Sequence, residues 1–129
     1  MKQRIRYAYG RRANVIYPPV NTEKFALHTN KSDYYFTASR FVDYKNIDLI
    51  VSAFNRLPGK RLLVAGKGPL EKQLKKLALP NIEFLGWLTD EQLVYYMQRS
   101  KAFINASIED FGIAGLEAQS TGTPVIALG

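Results

Sequence analysis

Short apolar runs alternate with longer stretches of helical period along most of this chain. Residues 34–38 (YYFTA) are aromatic and β-branched and short enough for a buried strand. Over residues 46–57, Ile47, Ile50, Val51, Phe54 and Leu57 recur at helical spacing, with Asn46 placed to cap the start. The second strand covers 61–65 and ends at Gly66-Lys67-Gly68-Pro69. Pro69 suits the first turn of a helix with Leu70, Leu74 and Leu77 on one face and Lys72, Lys75 and Lys76 on the other. The third strand, 82–85, closes with Gly86, and Thr89 and Gln92 then have capping-box spacing for a helix through Leu93, Val94 and Met97. A fourth strand at 102–106, a helix starting near Phe111 or Gly112, and a fifth strand at 124–128 complete the pattern.

The predicted order is βαβαβαβαβ. Strands that alternate with single helices pair in parallel through right-handed crossovers, because parallel neighbours cannot be joined by hairpins. The expected fold is α/β: a doubly wound, Rossmann-like parallel sheet between two helical layers. Ahead of it, residues 14–20 read as a short edge strand stopped by Pro18 and Pro19, which cannot donate to a ladder. The polar stretch that follows places the start of the regular domain near Tyr34. The chain stops at Gly129 directly after the fifth strand, so the sheet is expected to be cut short.

Composition narrows the chemistry. The chain has no cysteine and a single histidine, His28, which excludes disulfides, thiolate zinc sites and histidine clusters. No apolar run approaches the roughly 20 residues that cross a bilayer, and the start lacks the apolar core of a signal peptide. A cytoplasmic location is expected. The net charge of +7 is compatible with nucleic acid, an anionic membrane or a phosphate-bearing ligand. Lys2, Arg4, Arg6, Arg11 and Arg12 crowd the first dozen positions, read as a solvated helix end or linker over 1–13; contact with the inner face of a membrane is the competing reading. No nucleic-acid motif accompanies the charge, so no nucleic-acid partner is expected.

In doubly wound sheets ligands bind beyond the carboxyl ends of the strands where strand order reverses, between the first and fourth strands of a 3-2-1-4-5 sheet. Arg40 and Lys45 follow the first predicted strand; Glu109, Asp110 and a helix start at Phe111-Gly112 follow the fourth. Cations beside a helix N-terminus make a site for a phosphate or diphosphate, and Gly112 lets backbone approach it closely. Singly, each residue is an ordinary surface charge or dipole partner; their convergence is the signal. Glu117, in the same predicted helix, is placed to accept from a ribose or sugar hydroxyl.

Five runs together carry a resemblance: SRFVDYKNID (39–48), VAGKGP (64–69), NIEFLG (81–86), EDFGI (109–113) continuing to Glu117, and GTPVI (122–126). In this order and spacing they resemble family 4 glycosyltransferases of the GT-B fold, and with Tyr17-Pro18-Pro19-Val20 they are most similar to the mannosyltransferase branch that builds surface polysaccharides. The resemblance covers about Asn14 to Gly129. It implies a nucleotide-sugar-binding domain, the C-terminal half of a GT-B fold, whose acceptor-binding N-terminal domain and final helix are absent here. It implies that Arg40 and Lys45 hold the donor diphosphate, that Glu109 holds sugar hydroxyls, and that Glu117 binds the ribose. Amides near Gly112 and Ile113 would face the diphosphate or sugar, Phe111 and Leu116 would belong to the same donor-binding set, and backbone around Trp87 and Leu88 would contact the base. Transfer would retain the anomeric configuration, use a GDP- or UDP-activated hexose with GDP-mannose favoured, deliver it to a glycan or lipid-linked acceptor, and need no metal or other cofactor. The catalytic group would be Glu109, Arg40 and Lys45. A non-catalytic nucleotide-sugar-binding module that pairs with a separate partner domain is the alternative.

Overall fold

In the computed structural model, which describes residues 2–109 and 111–128, the expected alternation is present. Its elements are α1 (Lys2–Tyr9), β1 (Tyr35–Ala38), a 3-10 turn (Asp43–Lys45), α2 (Ile47–Asn55), β2 (Leu62–Ala65), α3 (Glu71–Leu77), β3 (Ile82–Gly86), α4 (Asp90–Arg99), β4 (Phe103–Asn105), α5 (Ile113–Ser120) and β5 (Val125–Ala127). The sheet is parallel, in the order β3-β2-β1-β4-β5. Strand order therefore reverses between β1 and β4, with Phe36 of β1 in register with Leu63 on one side and Phe103 on the other.

The sheet has a core on each face. Leu62 and Val64 join Ile47, Ile50, Val51, Phe54 and Leu74 from α2 and α3. Their strand neighbours Leu63 and Ala65 turn the other way, joining Phe36, Phe103, Met97 of α4 and Ala118 of α5. Successive side chains of a strand point to opposite faces, so a strand apolar at every position must be covered twice. Helices on both sides complete the α/β/α layering. Phe36 and Phe103 are almost wholly buried; truncating either to alanine is expected to cost about 3–5 kcal/mol.

Local departures have identifiable causes. Residues 14–20 form no strand: Pro18 and Pro19 supply no N–H, and Ile16 is 92% exposed. The segment instead lays its Tyr17 ring 5.4 Å from that of Phe111. Further on it is tied down by Phe25, buried in the second core, and by Lys31, whose ammonium donates to the Gln98 carbonyl (2.8 Å), Thr123 Oγ1 (2.8 Å) and the Thr121 carbonyl (3.3 Å). The basic start forms a helix, α1, in which no residue is buried. Asn46 precedes α2 but makes no side-chain cap; at φ 50° and ψ 39° its amide turns away and donates to the Ala106 carbonyl at 2.8 Å. Helix α2 ends at Asn55, short of the expected Leu57, because the Arg56 and Leu57 amides turn back to Ala53 and Phe54. Pro69 lies just ahead of α3, not within it, and Leu77 is 41% exposed while Leu74 is buried. At α4 the capping box forms as expected, with Gln92 N–H donating to Thr89 Oγ1 and Thr89 N–H to Gln92 Oε1.

Candidate functional site at the strand ends

The carboxyl ends of β1 and β4 carry Arg40, Lys45 and Glu109, while Trp87 and Leu88 follow β3 and Ile113, Leu116 and Glu117 lie in α5. After β1 the chain enters the loop holding Arg40, and this loop is buttressed by the glycines that follow β2. Gly66 sits at φ 128°, where a Cβ would land on the Ser39 carbonyl oxygen, and a Cβ on Gly68 would collide with the Phe41 backbone. Three backbone hydrogen bonds use this close approach: Ser39 N–H to Ala65 O (3.1 Å), Phe41 N–H to Lys67 O (3.0 Å) and Leu70 N–H to Phe41 O (3.3 Å). The Gly-Lys-Gly-Pro loop is thereby a support for Arg40.

Arg40 is exposed and, with Ser39, Lys67, Trp87, Leu88 and Asp90, lines a cleft of about 500 Å³. Trp87 is 75% exposed, an open aromatic surface at the mouth of that cleft. A second cleft, about 380 Å³, lies between the ends of β4 and β5 and the start of α5, lined by Asn105, Ser107, Glu109, Phe111, Gly112 and Leu128 among others. The expected single crevice thus resolves into two clefts at the strand ends.

Lys45 joins the β1 side of this region to the β4 side. Its Nζ lies 2.6 Å from Glu109 Oε1, both side chains being about one quarter exposed, at 21% and 26%. Ser107, almost buried, donates its hydroxyl to the same Oε1 at 2.7 Å or to Asn105 Oδ1 at 2.5 Å, while its own N–H donates to Asn105 Oδ1 at 3.1 Å. These two donors, Lys45 first and Ser107 second, hold the Glu109 carboxyl below its ordinary value. The Asn46 amide, donating to Ala106 O, fastens the same two loops a second time, one residue after Lys45 and three before Glu109.

Helix α5 opens on Gly112, which is left-handed at φ 79° and accepts from the Gly115 and Leu116 amides. First-turn amides of a helix have no partner within it and carry its positive dipole end; here they belong to Ile113 and Ala114. Phe111 is half-buried under Tyr17, and Leu116 is half-buried in the helix. Glu117 is half-buried too, where a carboxylate in α5 taken singly reads as solvent-facing, and burial pushes its carboxyl above the ordinary value. Asp110 lies outside the described residues.

Arg40, Trp87 and Leu88 are therefore brought together, as are Lys45, Glu109, Phe111 and Gly112. Ser107 and Asn105 escaped the sequence reading. Their signal was local: Asn and Ser side chains just past a strand bond neighbouring backbone and set up tight turns. Among the described residues no three His, Cys, Asp or Glu side chains gather where they could hold a metal ion, and no helix is long and apolar enough to cross a membrane.

Comparison with known proteins bears on the family and the fold. The chain is 32% identical over 104 residues to a GDP-mannose-dependent monoacylated alpha-(1-6)-phosphatidylinositol monomannoside mannosyltransferase of Corynebacterium glutamicum, covering 69% of this chain and 27% of that protein. It is 35% identical over 102 residues to the alpha-monoglucosyldiacylglycerol synthase of Streptococcus pneumoniae, covering 70% of this chain and 23% of the relative. The chain thus spans about a quarter of the length of these relatives. Among solved structures, the pneumococcal O-GlcNAc transferase GtfA, in complex with UDP and GlcNAc, superposes with a TM-score of 0.74 at 20% identity, over 98% of this chain and 27% of that one. That likeness is one of fold, the Rossmann-like α/β domain of GT-B glycosyltransferases. The family model described as glycosyl transferases group 1 matches residues 20–128, and the chain belongs to that family.

Proposed function

We propose that this chain is the donor-binding domain of a retaining hexosyltransferase of family 4, and that its strand-end site holds a nucleotide sugar. The observation that carries the reading is the Lys45–Glu109 pair at the β1–β4 reversal, a cation and a carboxylate 2.6 Å apart beside the N-terminus of α5. A sugar diphosphate presents both complements: phosphate oxygens for the cation and the helix amides, hydroxyl groups for the carboxylate.

In the proposed reaction the bond between the sugar's anomeric carbon and the diphosphate oxygen breaks. The nucleoside diphosphate leaves with the electron pair, and an acceptor hydroxyl bonds to the same carbon, its proton passing to the departing diphosphate. Arg40 and Lys45, with the amides of Ile113 and Ala114, stabilise charge on the leaving diphosphate without a metal. Glu109 accepts from sugar hydroxyls and Glu117 from the ribose, while backbone at Trp87 and Leu88 meets the base.

GDP-mannose is the favoured donor, supported by the Corynebacterium relative named for it; the Streptococcus relative, named for a glucosylated lipid, keeps a UDP-hexose as the second choice. Both names, each of an enzyme of a glycolipid, also support a lipid-linked acceptor. The proposal further has that acceptor reached through an N-terminal domain, in polysaccharide or glycolipid synthesis at the inner face of a membrane. Calorimetric titration of the chain with GDP, UDP, GDP-mannose and UDP-glucose, beside Arg40→Ala, tests the reading. Selective binding of one base, lost in the variant, supports it; equal binding in variant and parent removes Arg40 from the site.

A further inference from the structure

The two oxygens of Glu109 are not equivalent. Oε1 receives both the Lys45 ammonium, at 2.6 Å, and the Ser107 hydroxyl, at 2.7 Å. Oε2 faces the first residue of the α5 start instead: it lies 4.0 Å from the point where a Cβ on Gly112 would stand. With Gly112 bare of side chain, that oxygen looks into the gap of the second cleft, which both residues line.

We propose that Ser107 is a positioning residue: by pinning Glu109 Oε1 from below, it turns Oε2 toward the Gly112 gap as the oxygen that accepts a donor-sugar hydroxyl. Lys45 cannot hold this orientation alone. Its ammonium rides on a flexible four-carbon stem and is itself a partner for the diphosphate, so when it shifts to phosphate the Ser107 hydroxyl is the side-chain donor that remains on the carboxylate among the described residues. Ser107 is suited to that task because it is almost buried and its backbone N–H is fixed by Asn105 Oδ1. The same Asn105 oxygen lies within reach of the hydroxyl, so the single Ser107 proton is shared between two acceptors until ligand draws Lys45 away.

This proposal rests on the nucleotide-sugar reading of the cleft, and its test is arranged to separate the two. Ser107→Ala, Ser107→Thr and the control Ser100→Ala are compared; Ser100 is another buried hydroxyl, bonded to the Met97 carbonyl at 2.9 Å. The first readout needs no ligand: the Glu109 side-chain carboxyl is followed through its acid titration by carbon-13 NMR, assigned with Glu109→Gln. Loss of the hydroxyl in Ser107→Ala is expected to move the midpoint upward, because a donor to the charged form is removed; Ser107→Thr restores it and Ser100→Ala leaves it alone. The second readout is the ratio of affinities for GDP-mannose and GDP, each added alone. Ser107→Ala is expected to lower this ratio about tenfold, the size of one lost bond to a charged group, while GDP itself binds as before. An unmoved Glu109 midpoint, equal weakening of both ligands, or the same changes in Ser100→Ala would overturn the proposal. If the parent chain binds neither ligand, the nucleotide-sugar reading fails, and the Glu109 titration alone decides whether Ser107 orients the carboxylate.

Discussion

Lys45 and Glu109 stand 64 positions apart in the chain, and the Lys45 ammonium lies 2.6 Å from Glu109 Oε1. The pair spans the one place where strand order reverses, so it fastens the turn after β1 to the loop after β4. It also means that each group neutralises the other before any ligand arrives. A diphosphate must therefore draw Lys45 partly away from Glu109, and the two variants should behave differently. Lys45→Ala is expected to weaken GDP by about 1.5–3 kcal/mol, the worth of a charge-assisted contact. Glu109→Gln is expected not to weaken GDP at all, yet to weaken GDP-mannose. Calorimetry on both variants checks this; parallel losses for the two ligands in Glu109→Gln would remove the sugar from the Glu109 side of the site.

Acid titration should move stability in opposite directions at the two glutamates. The Glu109 carboxyl is held low by Lys45 and then by Ser107, so its contribution is present above the ordinary value of 4.5 and is lost as pH falls through the lower folded value. Glu117 is the reverse. Burial raises its carboxyl, so the folded state favours the protonated form below 4.5 and loses that preference as pH rises through the raised folded value. Glu117→Gln is expected to raise Tm at pH 7, with the gain gone well below pH 4.5, and to weaken nucleotide binding. Glu109→Gln is expected to lower Tm at pH 7, with the loss gone in strong acid. Calorimetric scans at pH 7 and in acid read both.

Asn46 offers a backbone test. It is the one non-glycine residue with positive φ among the described residues, and its amide holds the Ala106 carbonyl. Asn46→Ala loses the bond and places an alanine in a left-handed conformation, at a combined cost of about 2–3 kcal/mol. Asn46→Gly loses the bond alone and should cost about half as much. Denaturant titration separates them, and equal losses would mean that the conformation carries no strain.

Glycines in the β2 loop should be far less tolerant than a glycine elsewhere. A Cβ at Gly66 meets the Ser39 carbonyl, whereas one at Gly59 meets nothing within 4 Å. Gly66→Ala is expected to abolish the folded state or cost more than 3 kcal/mol through clash and positive φ together, while Gly59→Ala stays within about 1 kcal/mol of the parent in either direction. Thermal unfolding of the two variants decides.

How much of this was legible in the sequence varied with the range of the cause. The strand at 34–38 declared itself by its aromatic and β-branched residues, and that at 61–65 by the run Leu62-Leu63-Val64-Ala65, which is apolar on both faces as a parallel sheet requires. The 3-2-1-4-5 frame then put the loops after β1 and β4 at one reversal, as found for Lys45 and Glu109, whereas Arg40 lines the other cleft. Residues 14–20 misled because Val15, Ile16 and Tyr17 carry strand propensity, which expresses itself only beside a strand partner. Asn46 also misled: cap chemistry predicts a bond to its own helix, and the nearer demand of Ala106 O took its amide. The turn chemistry of Asn105 and Ser107 was readable as a local signal, but the bond from Ser107 to Glu109 was not, because it depends on where Glu109 turns, a fact of packing and not of spacing. The split into two clefts likewise needs the loops' relative heights, which periodicity does not encode.

The most direct test of the central claim is a nitrogen-15 NMR titration of the chain with GDP-mannose, following every backbone amide. The strand-end site predicts that the largest shifts fall on residues 39–45, 87–88 and 107–117, with α1 unmoved. Shifts concentrated instead on the basic residues Lys2, Arg6, Arg11 and Arg12, with 39–45 and 107–117 still, would contradict it.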